Sequence, residues 1–337
     1  MLRATVNEKQ SIITEEAPIP QPQDGEMTVR VECALAGAGG GAAGGEGSSR
    51  SLACGLSGTV HSAGAGVTAF RAGQQVMFTL GCGCHECPAC ERGNEGCCGS
   101  YARNTVRYGM AQYVLLPAAV VRYNTFLKPD SLSFAQAAFL DPLARLLNGL
   151  RRIRIGGDDT VVILGSGYLS LLLLRTLKAA VRPRAVAVCG IGEHRLQKAR
   201  ELGADYTIDP QKEDLTAAVM RITEGYGAQA VIDTASIPAA WDSMLGLASK
   251  AASLLFCGDG PSGHKLQLDA TRVHYDQMTL CGVCGCSSAD ALKACELLSQ
   301  GTVDPAPMIG ASFPLAEAGS AFLRLTDGQD TVCTVIP

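Results

Sequence analysis

The chain has 337 residues, a length typical of two domains, and its 47% apolar and 18% charged composition excludes wholesale disorder. A net charge of −4 without a basic run argues against a nucleic-acid partner. No apolar run approaches the roughly 18 residues that cross a bilayer, and the first 20 residues lack a secretory pattern, so we expect a soluble, cytoplasmic protein with no membrane partner.

The first third of the chain has the pattern of β structure. Short alternating runs separated by turns that contain Gly or Pro predict strands, whereas helical spacing is scarce. These predicted strands are Met27–Val31, Gly58–Val60, Gln75–Phe78 and Met110–Leu116.

A cysteine-rich segment follows within this β region. The chain has 15 Cys, and their crowding between Cys82 and Cys98 indicates metal ligation in a reducing compartment rather than disulfides. Four thiolates complete a tetrahedral zinc shell that leaves no open position, so we expect one structural zinc per chain. The predicted ligands are Cys84, Cys87, Cys90 and Cys98, with Cys97 as an alternative to Cys98 and Cys82 as a spare.

The pattern changes at about Ser133. An apolar, helix-like stretch reaches Leu150, and short aliphatic strands then alternate with amphipathic helices, which predicts a parallel, doubly wound α/β sheet. The predicted strands are Val161–Leu164, Ala185–Val188, Ala230–Ile232 and Ser253–Phe256. The predicted helices are Tyr168–Ala180, His194–Leu202, Leu215–Thr223 and Ala239–Ala248.

The end of the chain is too short to form a domain of its own. It carries a predicted helix near Ala289–Ser299 and a final strand near Thr331–Val335, and we expect it to return to the β-rich domain. The predicted domains are therefore residues 1–144 with 285–337, and residues 145–284.

A glycine turn lies between the first strand and the first helix of the second domain. Gly165 permits a tight turn, Gly167 lets the backbone approach a pyrophosphate, and Ser170 takes the third position, which must be small. The helix that follows presents its N-terminus to the anion. This segment predicts a dinucleotide site.

Gly190 occupies the end of the second strand, where an acidic residue would hold the ribose hydroxyls of NAD(H). The space without a carboxylate, with Arg195 and His194 nearby, favours the 2′-phosphate of NADP(H). NAD(H) stays open as an alternative.

Together these segments resemble the zinc-containing medium-chain dehydrogenase/reductase family, of the sorbitol and threonine dehydrogenase type. Five further segments occur in family order: Gly58 to Val67, Gly109 to Val114, Asp141 to Ala144, His274-Tyr275 and Thr279 to Gly282. The resemblance implies a GroES-like substrate domain, a Rossmann domain and hydride exchange in a cleft between them.

The resemblance also implies a catalytic zinc whose ligands this chain lacks. The family cysteine falls on Ala36 or Gly37, the family His-Glu pair falls on Cys54-Gly55, and the Glu before Pro-Leu-Ala is Asp141. A catalytic zinc ordinarily has three protein ligands, and only Cys54 and Asp141 could serve here, with Cys33 requiring a backbone shift. We therefore expect the catalytic zinc to be lost.

The candidate proton donors are His274 and Tyr275, which precede the strand that in this family approaches the nicotinamide. Packing roles are the alternative for both residues. Cys54 could act as an acid or a nucleophile, or it could be an inert buried thiol.

Three functional hypotheses follow. The first is an NADP(H)-dependent reductase without catalytic zinc that transfers hydride to an activated C=C or C=N bond of a small molecule, in specialised metabolism. The second is an alcohol or polyol dehydrogenase with atypical zinc ligands. The third is a non-catalytic nucleotide-binding homologue. Pairing of an apolar edge segment, Thr279 to Cys286, predicts a homodimer or homotetramer.

Overall fold

The computed structural model describes residues 1–7, 11–37, 52–258 and 263–337. The chain divides into two compact units. Unit 1 comprises Met1–Asn148 and Cys284–Pro337, and unit 2 comprises Gly149–Val283. The division falls four residues after the predicted boundary at 144 and one residue before the predicted boundary at 285.

Unit 1 is built on a largely antiparallel sheet whose strand order is β14-β15-β3-β4-β5-β7, with β6 paired to β3. A separate hairpin contains β1 and β2. The two central strands are long and buried, and their apolar side chains form the core together with those of the C-terminal helix. The strands are β1 (Leu2–Val6), β2 (Ile12–Glu16), β3 (Met27–Gly37), β4 (Ala53–Ala63), β5 (Gln75–Phe78), β6 (Tyr113–Leu116), β7 (Thr125–Leu127), β14 (Ser312–Pro314) and β15 (Val332–Ile336).

Short helices connect and cover this sheet. They are α1 (Pro88–Glu91), α2 (Ala118–Tyr123), α3 (Phe134–Ala137), α4 (Leu140–Leu150), α10 (Ser288–Ser299) and α11 (Ala318–Thr326). The single helix-like stretch predicted from Ser133 to Leu150 is two helices, because Pro142 lies in the first turn of α4 and is suited to a helix start rather than to a helix interior.

Unit 2 is a six-stranded parallel sheet in the order β10-β9-β8-β11-β12-β13. The first strand in sequence is therefore central, as in doubly wound nucleotide-binding folds, and the strand order reverses between β8 and β11. The strands are β8 (Thr160–Leu164), β9 (Ala185–Cys189), β10 (Tyr206–Ile208), β11 (Ala228–Asp233), β12 (Ala248–Phe256) and β13 (Thr279–Gly282). The helices are α5 (Tyr168–Thr176), α6 (Glu193–Glu201), α7 (Leu215–Ile222), α8 (Pro238–Leu247) and α9 (Ala270–Tyr275), with a π-helical turn at Leu177–Val181.

Strand β13 lies at one edge of the parallel sheet. Its position agrees with the edge predicted from the sequence, and pairing with a second copy of the chain stays a prediction. Within the described residues, no helix combines the length and the apolar character that a membrane span requires.

The packing of β4 leaves no room for a side chain at Gly55. A Cβ atom built there overlaps the carbonyl oxygen of Ala138 and comes within 3.2 Å of the Leu35 side chain. The family carboxylate expected at this position cannot be accommodated on this backbone.

We therefore predict that Gly55→Ala lowers the free energy of unfolding by about 1–3 kcal/mol, since added atoms in a packed site force the backbone to move. Gly319→Ala in α11 is the matched control, because its Cβ would meet its nearest neighbour, Ile12 O, at 3.9 Å. Denaturant titration of both variants measures the difference, and equal stabilities would contradict the steric argument.

Candidate functional site

The glycine turn of unit 2 lies at the carboxyl end of β8, where the strand order of the sheet reverses. Gly165 has a φ of 125°, which side chains rarely adopt, and its Cβ would lie 2.6 Å from Thr234 Oγ1. Its N–H donates to Cys189 O at 2.7 Å, which ties the turn to the neighbouring strand β9. The turn is therefore held between Cys189 and Thr234.

Helix α5 begins directly after Gly167. A Cβ at Gly167 would meet no atom within 4 Å, so the backbone is open at the point where the helix starts. The first N–H groups of a helix have no acceptor within it and carry the positive end of its dipole. This combination can receive a pyrophosphate.

Ser170 fills the third position of the turn as a buried residue, only 1% exposed. Its Oγ lies 2.6 Å from Thr234 Oγ1, which in turn donates to Leu164 O at 3.0 Å. The hydroxyl that replaces the usual Gly or Ala is thus hydrogen-bonded inside the fold.

Gly190 follows β9 and its backbone lies against Ser166. A Cβ at Gly190 would overlap both Cβ and Oγ of Ser166. The missing carboxylate at this strand end therefore has a steric cause that the sequence pattern did not reveal.

The next acidic residue along the chain is Glu193, in the first turn of α6. Its carboxylate accepts hydrogen bonds from Arg200 at 2.7 Å and Lys212 at 2.9 Å, and these lower the pKa of Glu193 to about 2. In the same turn His194 is exposed and Arg195 is partly buried. Glu193 is engaged by two cations, so it does not replace the missing ribose ligand.

The four predicted zinc ligands converge in unit 1. The sulfur atoms of Cys84, Cys87, Cys90 and Cys98 all lie within 4.8 Å of one another. The Sγ–Sγ distance is 4.0 Å from Cys84 to Cys90 and 3.6 Å from Cys87 to Cys90. Sulfurs around a tetrahedral zinc with Zn–S of about 2.3 Å are about 3.8 Å apart, so the donor set fits the ion.

The thiols of this cluster differ in acidity before any ion binds. Burial raises the pKa of Cys90 to about 12. Burial also acts against ionisation of Cys98, but its sulfur accepts N–H groups of Cys84 at 3.4 Å and Ser100 at 3.3 Å, and its pKa is lowered to about 7. Cys98 therefore ionises more readily than Cys90. Cys97 is exposed and lies outside the cluster.

A second group of ligand-bearing side chains lies in the same segment. Cys82, His85 and Glu95 bring one ligand atom each within 4.8 Å of the others. The sequence pattern placed Cys82 outside any site and did not identify Glu95. The three-residue spacing of Cys82 and His85 is the signal that was available.

The residues at the family's catalytic zinc position make other contacts in this structure. Cys54 Sγ contacts Leu35 O at 3.4 Å. Asp141 is 1% exposed, and its two oxygens accept the N–H of Leu80 and the Nε–H of Arg145, both at 2.7 Å. Ala36 is a buried apolar residue of β3. Among the described residues, neither Cys54 nor Asp141 belongs to a group of three ligand atoms.

His274 and Tyr275 lie at the end of α9 in unit 2, whereas Cys54 and Asp141 lie in unit 1. His274 and Tyr275 are exposed, and Tyr275 has a relative exposure of 75%. Their rings contact each other edge to face, with centroids 4.7 Å apart. Their role as proton donors stays a prediction.

The glycine turn of the doubly wound sheet and the four-thiol cluster are the features expected of a nicotinamide-dependent dehydrogenase with a zinc-binding segment. Residues 24–124 match the model of the alcohol dehydrogenase GroES-like domain, and residues 169–300 match that of the zinc-binding dehydrogenase domain. The chain belongs to the zinc-containing medium-chain dehydrogenase/reductase family and is an oxidoreductase, as its sequence predicted.

Curated relatives of the chain are dehydrogenases by name. D-arabitol-phosphate dehydrogenase of Enterococcus avium is 30% identical over 82% of this chain and 78% of its own length. Sorbitol dehydrogenase of Bacillus subtilis is 26% identical over 79% of this chain and 74% of its own length.

Solved structures share the fold of the chain. A protein described as a zinc-binding dehydrogenase from Sinorhizobium meliloti, bound to NADP, has a TM-score of 0.84 at 23% identity, covering 100% of this chain and 99% of its own. Galactitol-1-phosphate dehydrogenase of Escherichia coli has a TM-score of 0.85 at 20% identity and full coverage of both chains.

We predict that Cys90→Ala lowers the zinc content by one ion per chain and the free energy of unfolding by more than about 2.7 kcal/mol. Outer-shell changes already weaken metal binding by up to about 100-fold, and loss of a ligand is more severe. Elemental analysis and thermal unfolding measure both effects. Cys97→Ala, an exposed neighbour, is the control, and a larger effect at Cys97 than at Cys90 would reassign the ligand set.

Proposed function

We propose that the chain transfers hydride between a nicotinamide dinucleotide and a small hydroxylated compound of the polyol class. The turn from Gly165 to Ser170 carries the cofactor assignment, because its backbone is fixed by Cys189 and Thr234 and is open where α5 starts. Bound there, the nicotinamide supplies the hydride acceptor or donor. The chain's own contribution is to hold the pyrophosphate at the N-terminus of α5 and to orient the cofactor.

The substrate class rests on the relatives, which act on a polyol phosphate and on sorbitol by name. They support an alcohol or polyol substrate better than the reduction of a C=C or C=N bond that heads the hypotheses drawn from the sequence.

NADP(H) is the proposed preference. The contact between Gly190 and Ser166 excludes a carboxylate from the strand end, and Glu193 is engaged by Arg200 and Lys212. Solved structures of similar fold include one bound to NADP and another, an alcohol dehydrogenase of Escherichia coli, complexed with NADH. The proposed preference therefore rests on this chain's own residues.

This preference predicts that the chain binds NADPH more tightly than NADH. Gly190→Asp alone should weaken both complexes because the new side chain collides with Ser166. The double change Ser166→Gly with Gly190→Asp should move the ratio of dissociation constants toward NADH by about tenfold or more, since a carboxylate accepts ribose hydroxyls and repels a 2′-phosphate. Fluorescence titration measures each constant, with Ser166→Gly as the control, and an NADH preference of the unchanged chain would refute the proposal.

A structural zinc is proposed at the four-thiol cluster, where Cys84, Cys87, Cys90 and Cys98 would hold it. A closed shell of four thiolates stabilises its segment and offers no position to a substrate.

The catalytic zinc of the family does not fit the described residues of this chain. Asp141 already accepts two hydrogen bonds, one from the Arg145 guanidinium, and Gly55 has no room for a side chain. No catalytic step is assigned to an ion at this position.

This unsuitable donor set favours a second candidate, reduction of an activated C=C or C=N bond. Such a substrate is already polarised, so the protein mainly orients it against the nicotinamide and supplies a proton. The polyol proposal requires a group other than a catalytic zinc to promote deprotonation of the alcohol. It therefore makes the more demanding prediction of the two.

One substrate panel separates the two candidates. Polyols and polyol phosphates are offered with NADP⁺ and NAD⁺, and enals and cyclic iminium ions are offered with NADPH and NADH, before and after brief treatment with a chelator. We expect polyol oxidation to continue after chelator treatment. No catalytic step is assigned to an ion, and the closed four-thiolate shell retains its zinc during brief treatment. Turnover restricted to activated double bonds would establish the second candidate, and no turnover of either group would reject both.

A further inference from the structure

Three side chains of different chemistry meet beside the four-thiol cluster. His85 Nε2 lies 3.6 Å from Cys82 Sγ and 3.4 Å from Glu95 Oε2. Cys82 is fully buried, Glu95 is 5% exposed, and no lysine or arginine among the described residues pairs with this carboxylate. A buried carboxylate is costly without a cation or several hydrogen bonds.

Ser288, the first residue of α10, supplies a fourth atom. Its Oγ lies 3.1 Å from His85 Nε2 and 3.2 Å from Glu95 Oε2, and its backbone N–H reaches both oxygens of Glu95 at 3.1 Å. One sulfur, one nitrogen and two oxygens therefore surround a common point.

The hydroxyl hydrogen of Ser288 is directed away from this point. Asn124 Nδ2 donates to the Gly81 carbonyl at 3.2 Å, which fixes the amide so that its Oδ1 faces Ser288 Oγ at 2.6 Å. An amide oxygen only accepts, so Ser288 donates to Asn124. The lone pairs of Ser288 Oγ are then left facing His85 and Glu95.

One nitrogen atom is shared among three polar contacts. The Nε2 atom of His85 has either one hydrogen or one lone pair, yet it faces Cys82 Sγ, Glu95 Oε2 and Ser288 Oγ. At most one of the three contacts can be a linear hydrogen bond. A cation at the centre satisfies all of them together, because each atom can present a lone pair to it.

The distances are those of a small coordination shell. Ligand atoms around a tetrahedral zinc, at about 2.0 Å for nitrogen or oxygen and about 2.3 Å for sulfur, are separated by about 3.3–3.6 Å. Four of the six separations among these atoms run from 3.1 to 3.6 Å. The ligand atoms of Cys82 and Glu95 lie within 4.8 Å of each other.

The backbone and a neighbouring ring hold the ligands in place. A Cβ at Gly83 would lie 2.7 Å from Cys90 Sγ and 3.0 Å from Glu95 Cβ, so the chain between the two clusters has no space for a side chain. Tyr123 stacks on the His85 ring, with centroids 3.7 Å apart.

We propose that Cys82, His85 and Glu95 bind a second zinc ion, with Ser288 Oγ at the fourth position. This site is separate from the four-thiol cluster and from the family's catalytic position at Cys54 and Asp141. It ties the cysteine-rich segment to the start of α10, which is far away in sequence but in the same unit. The total then rises from the one zinc expected from the sequence to two.

Metal titration tests the proposal on the full chain. Apo protein is loaded with Zn²⁺ or Co²⁺ alone, and we expect two ions per chain. Glu95→Gln and His85→Ala should each reduce the total to one while the cobalt–thiolate absorption of the four-thiol site persists. Cys97→Ser and His61→Ala are matched controls that should keep two ions.

Binding of one ion by the unchanged chain, or a second ion unaffected by Glu95→Gln and His85→Ala, would overturn the proposal. If those variants fail to fold, X-ray absorption of the zinc-loaded unchanged chain decides. Two sites give fewer than about three sulfur neighbours per ion on average together with nitrogen or oxygen, whereas the four-thiol site alone gives about four. A pure sulfur shell refutes the second site.

Discussion

The cysteine-rich segment between β5 and β6 depends on its side chains for order. Apart from two isolated bridges, Gly81 with Thr105 and Ala111 with Arg3, it has only the short helix α1 and a 3₁₀ turn, so little backbone pairing offsets the entropy of fixing the chain. Four sulfurs within 4.8 Å cannot all ionise unless a cation lies among them. The proposed zinc would therefore couple metal binding to the folding of this segment and would set the geometry of the residues anchored to it.

That anchoring extends toward the positions at which the family performs its chemistry. Leu80, which donates its N–H to Asp141, lies two residues before Cys82 and shares the same loop. The opposite oxygen of Asp141 is neutralised by Arg145 one helical turn away. The carboxylate that the family resemblance assigned to an ion thus accepts two hydrogen bonds inside unit 1.

Local patterns in the sequence were sufficient to predict the glycine turn with its flanking elements and the four-thiol cluster. The strand, glycine turn and helix from Thr160 to Thr176 are encoded within a few residues, and so is the spacing of the four thiols, because each depends on neighbours in sequence. The break before α4 was missed, although Pro142 in its first turn was the available signal. Two features arise only when distant segments pack. One is the lack of space for a Cβ at Gly190 beside Ser166, and the other is the contact of Glu95 with Ser288, 193 residues apart. The substrate class was harder still, since the absence of ligands at Ala36 and Gly55 favoured double-bond reduction, whereas the relatives favour polyols.

The contact between Gly190 and Ser166 also shapes how this protein can diversify. An acidic residue at position 190 is a common route to a different dinucleotide in such folds, but here the first mutational step meets a filled space. Ser166 has to become smaller beforehand, and that change by itself brings no new interaction with the cofactor. The order of substitutions is therefore constrained by packing, because a carboxylate fits at position 190 only after position 166 has become smaller.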